Sequence, residues 1–227
     1  MSQVRIVPPC RRRSQLYPHP TMVIAIDGPA GAGKSTVARA VAERLGFTYL
    51  DTGAMYRAVA FRSKTDGTHP AEVARSARLD LGERVLLDGE DVTERIREPW
   101  VSEAASRVSA DPAVREALVE QQRRLLSDGD WVAEGRDIGS VVAPDAAVKV
   151  FLTASPEERA RRRAAQTGGD PEHVLREQEE RDRRDASADR TVLEPAGDAV
   201  PVDTTGLTLD EVLEQIELLV TEARELR

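Results

Sequence analysis

MVIAIDGPAGAGKSTVARAV, residues Met22 to Val41, changes character twice in a short span. It opens on Val23-Ile24-Ala25-Ile26, an apolar, β-branched run of the kind that forms a buried parallel strand. The run stops at Asp27, and Gly28-Pro29-Ala30-Gly31-Ala32-Gly33-Lys34-Ser35 follows with the spacing G-x-x-x-x-G-K-[ST]. Val37, Val41 and Leu45 then recur at four-residue steps, one face of a helix. Strand, glycine loop and helix in that order make a cradle for phosphate: glycines let backbone N–H groups turn toward an anion, and the helix N-terminus adds partial positive charge. Lys34 is placed to reach the β- and γ-phosphates of a nucleotide, and the Ser35 hydroxyl to ligate Mg²⁺.

Outward from this stretch, apolar runs and helical patterns alternate. Phe47-Thr48-Tyr49-Leu50 reads as a second strand, followed by a polar elbow, Asp51-Thr52-Gly53, with Thr52 as the expected N-cap of the next helix. Asp88-Gly89 between Val85 and Val92 signals a tight hairpin. Helices are expected from about Trp100 to Val108 and from Pro112 to Leu126. Trp131 to Glu134 and Val148 to Leu152 are further strands, the latter leading to a helix with Ser155 as cap, Pro156 at its first position and Glu158 at its third. Ala199 to Asp203 is the last strand, and Pro201 places it at a sheet edge. The closing helix has the clearest period: Leu209, Val212, Leu213, Ile216, Leu219 and Val220.

The expected fold is therefore α/β, a doubly wound parallel sheet of about five strands flanked by helices. Ligands of such sheets bind at the carboxyl ends of strands, where polar clusters follow Asp27, Leu50, Glu134 and Leu152. Residues 1–21 hold Pro8, Pro9, Pro18 and Pro20 among basic residues and read as a disordered tail. It is either an upstream extension ahead of a start at Met22 or a weak electrostatic arm. Residues 22–227 form the folded domain, with an insertion at about 64–110 and a helical lid at about 159–185.

The formal net charge is −8, and residues 1–21 carry Arg5, Arg11, Arg12 and Arg13 with no acid, so the body is more acidic still. That argues against nucleic acid as a partner, since phosphate backbones select a basic footprint. A small anionic ligand is compatible, because one local arginine cluster reverses the potential inside a cleft. One cysteine, Cys10, precludes an intramolecular disulfide and suits a reducing cytosol. No apolar run is long enough to span a bilayer or to serve as a secretory signal.

A cradle alone leaves the acceptor open. A GTPase would add an Asn-Lys-x-Asp base-reading motif, and the only lysines are Lys34, Lys64 and Lys149. A motor would end a strand in Asp-Glu, whereas here the third strand ends in Glu134-Gly135-Arg136-Asp137. Arginines after two strands and along one helix suit several phosphates neutralised at once. Arg159, Arg161, Arg162 and Arg163 also fit a solvated helix face answered by Glu157 and Glu158, and the pattern leaves both readings open.

IDGPAGAGKST, YLDTGAMYRAVA, DGEDVT with Ile96-Arg97 after it, AASRVSADPAVREAL, AEGRDIGSVVAPDA, SPEERARRR, ERDRRD and VDTTGLTLDEV together resemble bacterial cytidylate kinases, of the nucleoside monophosphate kinase group. The resemblance covers nearly everything from Met22 onward and implies transfer of phosphate from MgATP to CMP or dCMP. It places Gly28, Pro29, Ala30, Gly31, Ala32, Gly33, Lys34, Ser35 and Thr36 around ATP. Ser106, Arg115 and Asp137 would read cytosine, Arg57 and Arg136 would hold the CMP phosphate beside Thr52 and Tyr56, and Arg181 and Asp185 would take the ribose. Lys34, Arg136 and the lid arginines Arg159, Arg162 and Arg163 would stabilise the transferring group. A cytoplasmic monomer is expected. The sequence departs from the family's Arg-Asp-x-x-Asp-x-x-Arg at Ala188, with Arg190 two residues on, and carries Ala143 where phenylalanine is usual. Its lid, Ala164 to Glu179, and its insertion also look shorter than in many relatives. Other readings are a broader pyrimidine monophosphate kinase, and a nucleotide-binding regulator with weak turnover.

Overall fold

A computed structural model describes residues 5–6, 21–187 and 194–226. The chain divides into two compact units, one of residues 1–21 with 48–130, the other of 22–47 with 131–227.

The second unit is built on parallel strands β2 (Val23–Asp27), β7 (Trp131–Glu134), β8 (Val148–Thr153) and β9 (Val200–Asp203). Their order is β7-β2-β8-β9, with Ala25 opposite Ala133 on one side and Lys149 on the other. β2 is central, and Ile24, Ala25 and Ile26 are fully buried, as a strand covered on both faces requires. β9 is the edge, where Pro201 costs no ladder bond to a further strand. Helix α1 (Lys34–Leu45) starts after Gly33 and stops at Gly46, whose left-handed backbone lets its N–H reach back to Ala42 and Glu43 carbonyls. It buries Val37, Ala38, Val41 and Ala42. Helix α6 (Pro156–Thr167) starts as the sequence indicates, with Pro156 at its first position and the Ser155 hydroxyl accepting from the Glu158 N–H. Gly168 ends it, and α7 (Pro171–Ser187) packs back on it through Ala160, Ala164 and Val174. Helix α8 (Leu209–Glu225) opens on a capping box, Thr208 and Glu211 satisfying each other's backbone N–H, and packs on β8 and α1.

In the first unit, β3 (Thr48–Asp51), the fifth expected strand, leads into α2 (Thr52–Asp66). Thr52 is the first helical residue rather than the cap. Asp51 caps instead, its carboxylate accepting the Ala54 N–H at 2.8 Å. α2 buries Ala54, Met55, Ala58, Val59, Ala60 and Phe61, far more than one stripe, because α3 (Pro70–Ser76), α4 (Pro99–Val108) and α5 (Pro112–Leu126) all pack around it. The hairpin at Asp88-Gly89 forms: β5 (Val85–Leu87) pairs antiparallel with β6 (Glu90–Asp91), and both turn residues have positive φ, 53° and 89°. β5 also pairs antiparallel with β4 (Leu79–Leu81). Of the basic tail, Arg5–Ile6 form β1, a two-residue strand parallel to β4, where the sequence suggests no structure; residues 1–4 and 7–20 lie outside the described residues. No helix among the described residues is long and apolar enough to cross a membrane.

The closing helix offers a test of this packing. Leu213 is 1% exposed and Leu218 is 65% exposed. Leu213→Ala should cost about 2–5 kcal/mol of unfolding free energy, and Leu218→Ala less than about 0.5 kcal/mol, read by urea denaturation. Equal losses would contradict the packing of α8.

Candidate active site

The loop between β2 and α1 has the backbone of an anion cradle. Gly28, Gly31 and Gly33 all take positive φ, and Gly33 sits immediately before the helix N-terminus. At Gly28 the requirement is absolute. With φ 145°, a Cβ would lie 1.9 Å from the Leu152 carbonyl oxygen of β8. Lys34 curls back over the loop, its Nζ donating to the Pro29 carbonyl at 2.8 Å. The Ser35 hydroxyl donates to Oε2 of Glu134 at 2.9 Å, and Glu134, at the end of β7, is buried.

Arg159 and Arg162, expected over a nucleotide as lid residues, are tied to the scaffold of the cradle. Arg159 is 6% exposed, and its Nη1 donates to the Ala30 carbonyl at 3.1 Å, propping the loop from below. Arg162 donates to the Thr204 hydroxyl and carbonyl at 2.8 and 2.7 Å, and through Nε to Glu158. Thr204, buried after β9, receives its backbone support from the Thr153 carbonyl. Glu158 is gripped by both Arg161 and Arg162, and hydrogen bonding to Arg161 leads the causes that hold its carboxyl down at about 2. Arg163 is half-buried on the same helix. Gln178 of α7 is buried, and its side-chain amide lies 2.9 Å from where a Gly31 Cβ would stand.

At the end of β7 the chain makes a second feature. Gly135-Arg136-Asp137 leads into a wide helical turn, Ile138–Val142, with the Gly135 N–H bonded to the Ile26 carbonyl at 3.1 Å. Arg136 and Asp137 are both half-buried on this turn. Asp27, the last residue of β2, accepts the N–H groups of Ile138 and Gly139, each at 2.8 Å. Burial pushes the Asp27 carboxyl up to about 6 and the Asp137 charge adds to this, against the pull of the two backbone N–H groups and of Lys34. A folded value raised from 3.8 to about 6 makes the ionised Asp27 cost stability as pH climbs through that interval, about 3 kcal/mol once above it.

The first unit carries the other expected contacts. Arg57 of α2 donates to Asp51 at 2.9 Å, lying across the helix start where Gly53 leaves room: a Cβ there would be 2.9 Å from Arg57 Nη1. Thr52 is buried and Tyr56 half-buried on the same helix. Ser106 on α4 and Arg115 on α5 are half-buried, on helices that pack against α2, so Arg57, Ser106 and Arg115 stand on one three-helix cluster. Arg181 and Asp185 lie on α7, and their side chains fall outside the described residues, as do Ala188 and Arg190.

A model of the cytidylate kinase family matches residues 24–222. The chain belongs to the cytidylate kinase family. Proteins named cytidylate kinase from Pelotomaculum thermopropionicum and Rhodococcus jostii are 49% and 50% identical, over 88% of this chain and 96% and 95% of theirs. A bifunctional pantoate ligase/cytidylate kinase from a Synechococcus strain is 47% identical, this chain spanning 44% of its length. Among solved structures, an uncharacterised protein from Eubacterium ventriosum superposes with a TM-score of 0.55 at 13% identity, covering 88% of this chain and 99% of that one. A gluconokinase from Sinorhizobium meliloti gives 0.50 at 19%, covering 90% and 95%. At these identities the structures bear on the fold alone, a parallel sheet flanked by helices.

Family membership makes the chain a phosphotransferase. The residues to which the sequence assigns no role are Asp27, Glu134 and Thr204, all buried polar groups at strand ends. The signal for Asp27 was present in the sequence: one ionisable residue closing an otherwise apolar strand. Gly28→Ala should abolish nucleotide binding at the cradle, because backbone must move to admit the methyl group. Calorimetric titration with ATP is expected to show at least a hundredfold loss, and wild-type affinity would refute the close approach to Leu152.

Proposed function

We propose that this protein transfers the γ-phosphoryl group of ATP to CMP, with dCMP as a second acceptor. What supports the reading is the family match combined with Arg136 and Asp137 held on a fixed turn beside the strand that leads into the cradle. Asp137 offers cytosine a carboxylate for its exocyclic amine, and Ser106 and Arg115 complete the base contacts. Arg57 and Arg136 take the CMP phosphate, Thr52 and Tyr56 border it, and Arg181 and Asp185 take the ribose. A guanidinium fork matches phosphate oxygens two at a time.

In the reaction an oxygen of the CMP phosphate forms the new bond to the γ-phosphorus, and the bond to the β,γ-bridging oxygen breaks. ADP departs with that oxygen, and CDP forms. The CMP phosphate is ionised near neutral pH, so no general base is required. The amides of residues 28–36 cradle the donor phosphates, and Lys34 shifts from the Pro29 carbonyl to the β- and γ-oxygens. Arg159 keeps the loop in shape from beneath, Arg162 holds α6 to the Thr204 loop, and Arg163 from the same helix adds positive charge near the donor. Closure of the α6–α7 lid excludes water, which would otherwise accept the phosphoryl group.

Mg²⁺ accompanies ATP in this reading. A serine hydroxyl and a buried carboxylate 2.9 Å apart beside the cradle fit one hard cation that keeps phosphate and water ligands. Among the described residues there is no cluster of three or more His, Cys, Asp or Glu for an all-protein site. Bound there, the ion supplies charge neutralisation on the phosphate oxygens. The reading extends to a monomer in the cytosol, supported by nucleotide substrates and a single cysteine.

A coupled assay of ADP release across the monophosphates tests the assignment. CMP and dCMP should turn over at least about a hundredfold faster, in kcat/KM, than AMP or GMP. UMP at the rate of CMP would make this a general pyrimidine kinase, and no turnover with any monophosphate would reduce it to a binding protein. Lys34→Ala should lower kcat at least about a hundredfold with CMP binding retained. Loss of CMP binding in that variant would misplace Lys34.

A further inference from the structure

Arg136 and Asp137 sit on backbone that cannot hold itself. Asp137 has φ −149° and ψ 28°, outside helical geometry, and its carbonyl is the one that accepts the Val141 and Val142 N–H groups of the following turn. Ile138 and Gly139 are the first two residues of that turn, so their N–H groups have no acceptor within it. Both residues are buried, which denies them water. The two oxygens of Asp27 take one N–H each at 2.8 Å, from a residue more than a hundred positions earlier in the chain. The Gly135 N–H, on the other flank of Arg136, goes to the Ile26 carbonyl. The acceptor turn is thus stitched at three points to the last two residues of β2.

The carboxylate is itself fixed in place. A Cβ on Gly139 would stand 3.4 Å from Asp27 Oδ2 and 3.2–3.3 Å from the Lys149 Cδ and Cγ, so the glycine lets the turn close onto both. Lys149, buried on β8, walls this side with its stem while its ammonium is held by both oxygens of Asp198 at 2.8 and 2.7 Å. The next residue after Asp27 is Gly28, where the donor cradle begins.

We propose that Asp27 is a positioning residue for the acceptor nucleotide: it caps the turn that carries Arg136 and Asp137 and so sets where the CMP phosphate and base are received. The inference rests on the reading of those two residues as acceptor contacts. The cradle has supports of its own, the Lys34 bond to Pro29 and the Arg159 bond to Ala30.

Asp27→Asn keeps size and shape but leaves one acceptor for two N–H groups. Steady-state kinetics with each substrate varied in turn, alongside thermal melts, should show KM for CMP raised about tenfold or more and KM for ATP within about twofold of wild type. Gly139→Ala, which crowds the Lys149 stem where the turn closes beside the carboxylate, should shift KM for CMP in the same direction and carries the test should D27N not fold. Asp137→Asn serves as the reference. If D137N leaves KM for CMP unchanged, the acceptor reading itself falls. If D137N raises it while D27N and G139A match wild type, the positioning role of Asp27 falls alone. If D27N or G139A raises both KM values together, the residue supports the junction with Gly28 in general, and the proposal is overturned.

Discussion

Gly28 leaves β2 with its backbone against the Leu152 carbonyl, closer than any side chain would permit. That contact fixes where the phosphate loop departs from the sheet, and the rest of the donor half is arranged around it. Leu152 and Thr153 close β8, the Thr153 carbonyl takes the Thr204 N–H, and Thr204 takes the Arg162 guanidinium. A loop defined by glycines would be entropically soft in isolation. Here it is anchored at its first residue by a strand, at Ala30 by Arg159 and at Pro29 by Lys34, so the flexibility of its composition does not become flexibility of its shape.

An acidic chain must ration its cations near a site meant for anions, and this one assigns several of them to its own backbone. Arg159 and Arg162 reach carbonyls, and Lys149 is closed off by Asp198. Arginine suits this use because its planar fork satisfies two acceptors at once without being deprotonated. The same geometry answers the ambiguity left by the sequence for α6. Arg161 is the solvated, Glu158-paired residue of a surface face, whereas Arg159 and Arg162 are turned toward the cradle's support.

The parallel strands, the cradle and the cap of α6 were legible because each depends on local chemistry: β-branched runs, glycines at a fixed spacing, and Ser before a helix. At the start of α2 the sequence offers both Asp51 and Thr52, which are each good caps. Asp51 serves, its carboxylate shared between the Ala54 N–H and the Arg57 guanidinium. The closing helix shows the opposite limit. Leu209 fits its period and is nonetheless 41% exposed, since periodicity names a face but not how far the neighbouring elements extend to cover it. The three-helix packing around α2 was invisible for a related reason. A helix buried on most sides has no polar stripe to give a period.

The role of Asp27 is not legible in the motif that contains it, because its partners are two backbone N–H groups far along the chain. Its ionisation is unfavourable where it sits, and an asparagine or serine would avoid that burden. Either would also leave the turn short. Two adjacent buried N–H groups need two acceptors side by side, and among side chains of this length only a carboxylate presents acceptors at both positions. Its raised pKa is therefore the energetic trace of a backbone requirement. Strain of this kind persists where the surrounding structure over-determines it. Gly139 below, Lys149 alongside and the Ile26 carbonyl one residue earlier supply that over-determination, and what they hold in common is the turn bearing Arg136 and Asp137.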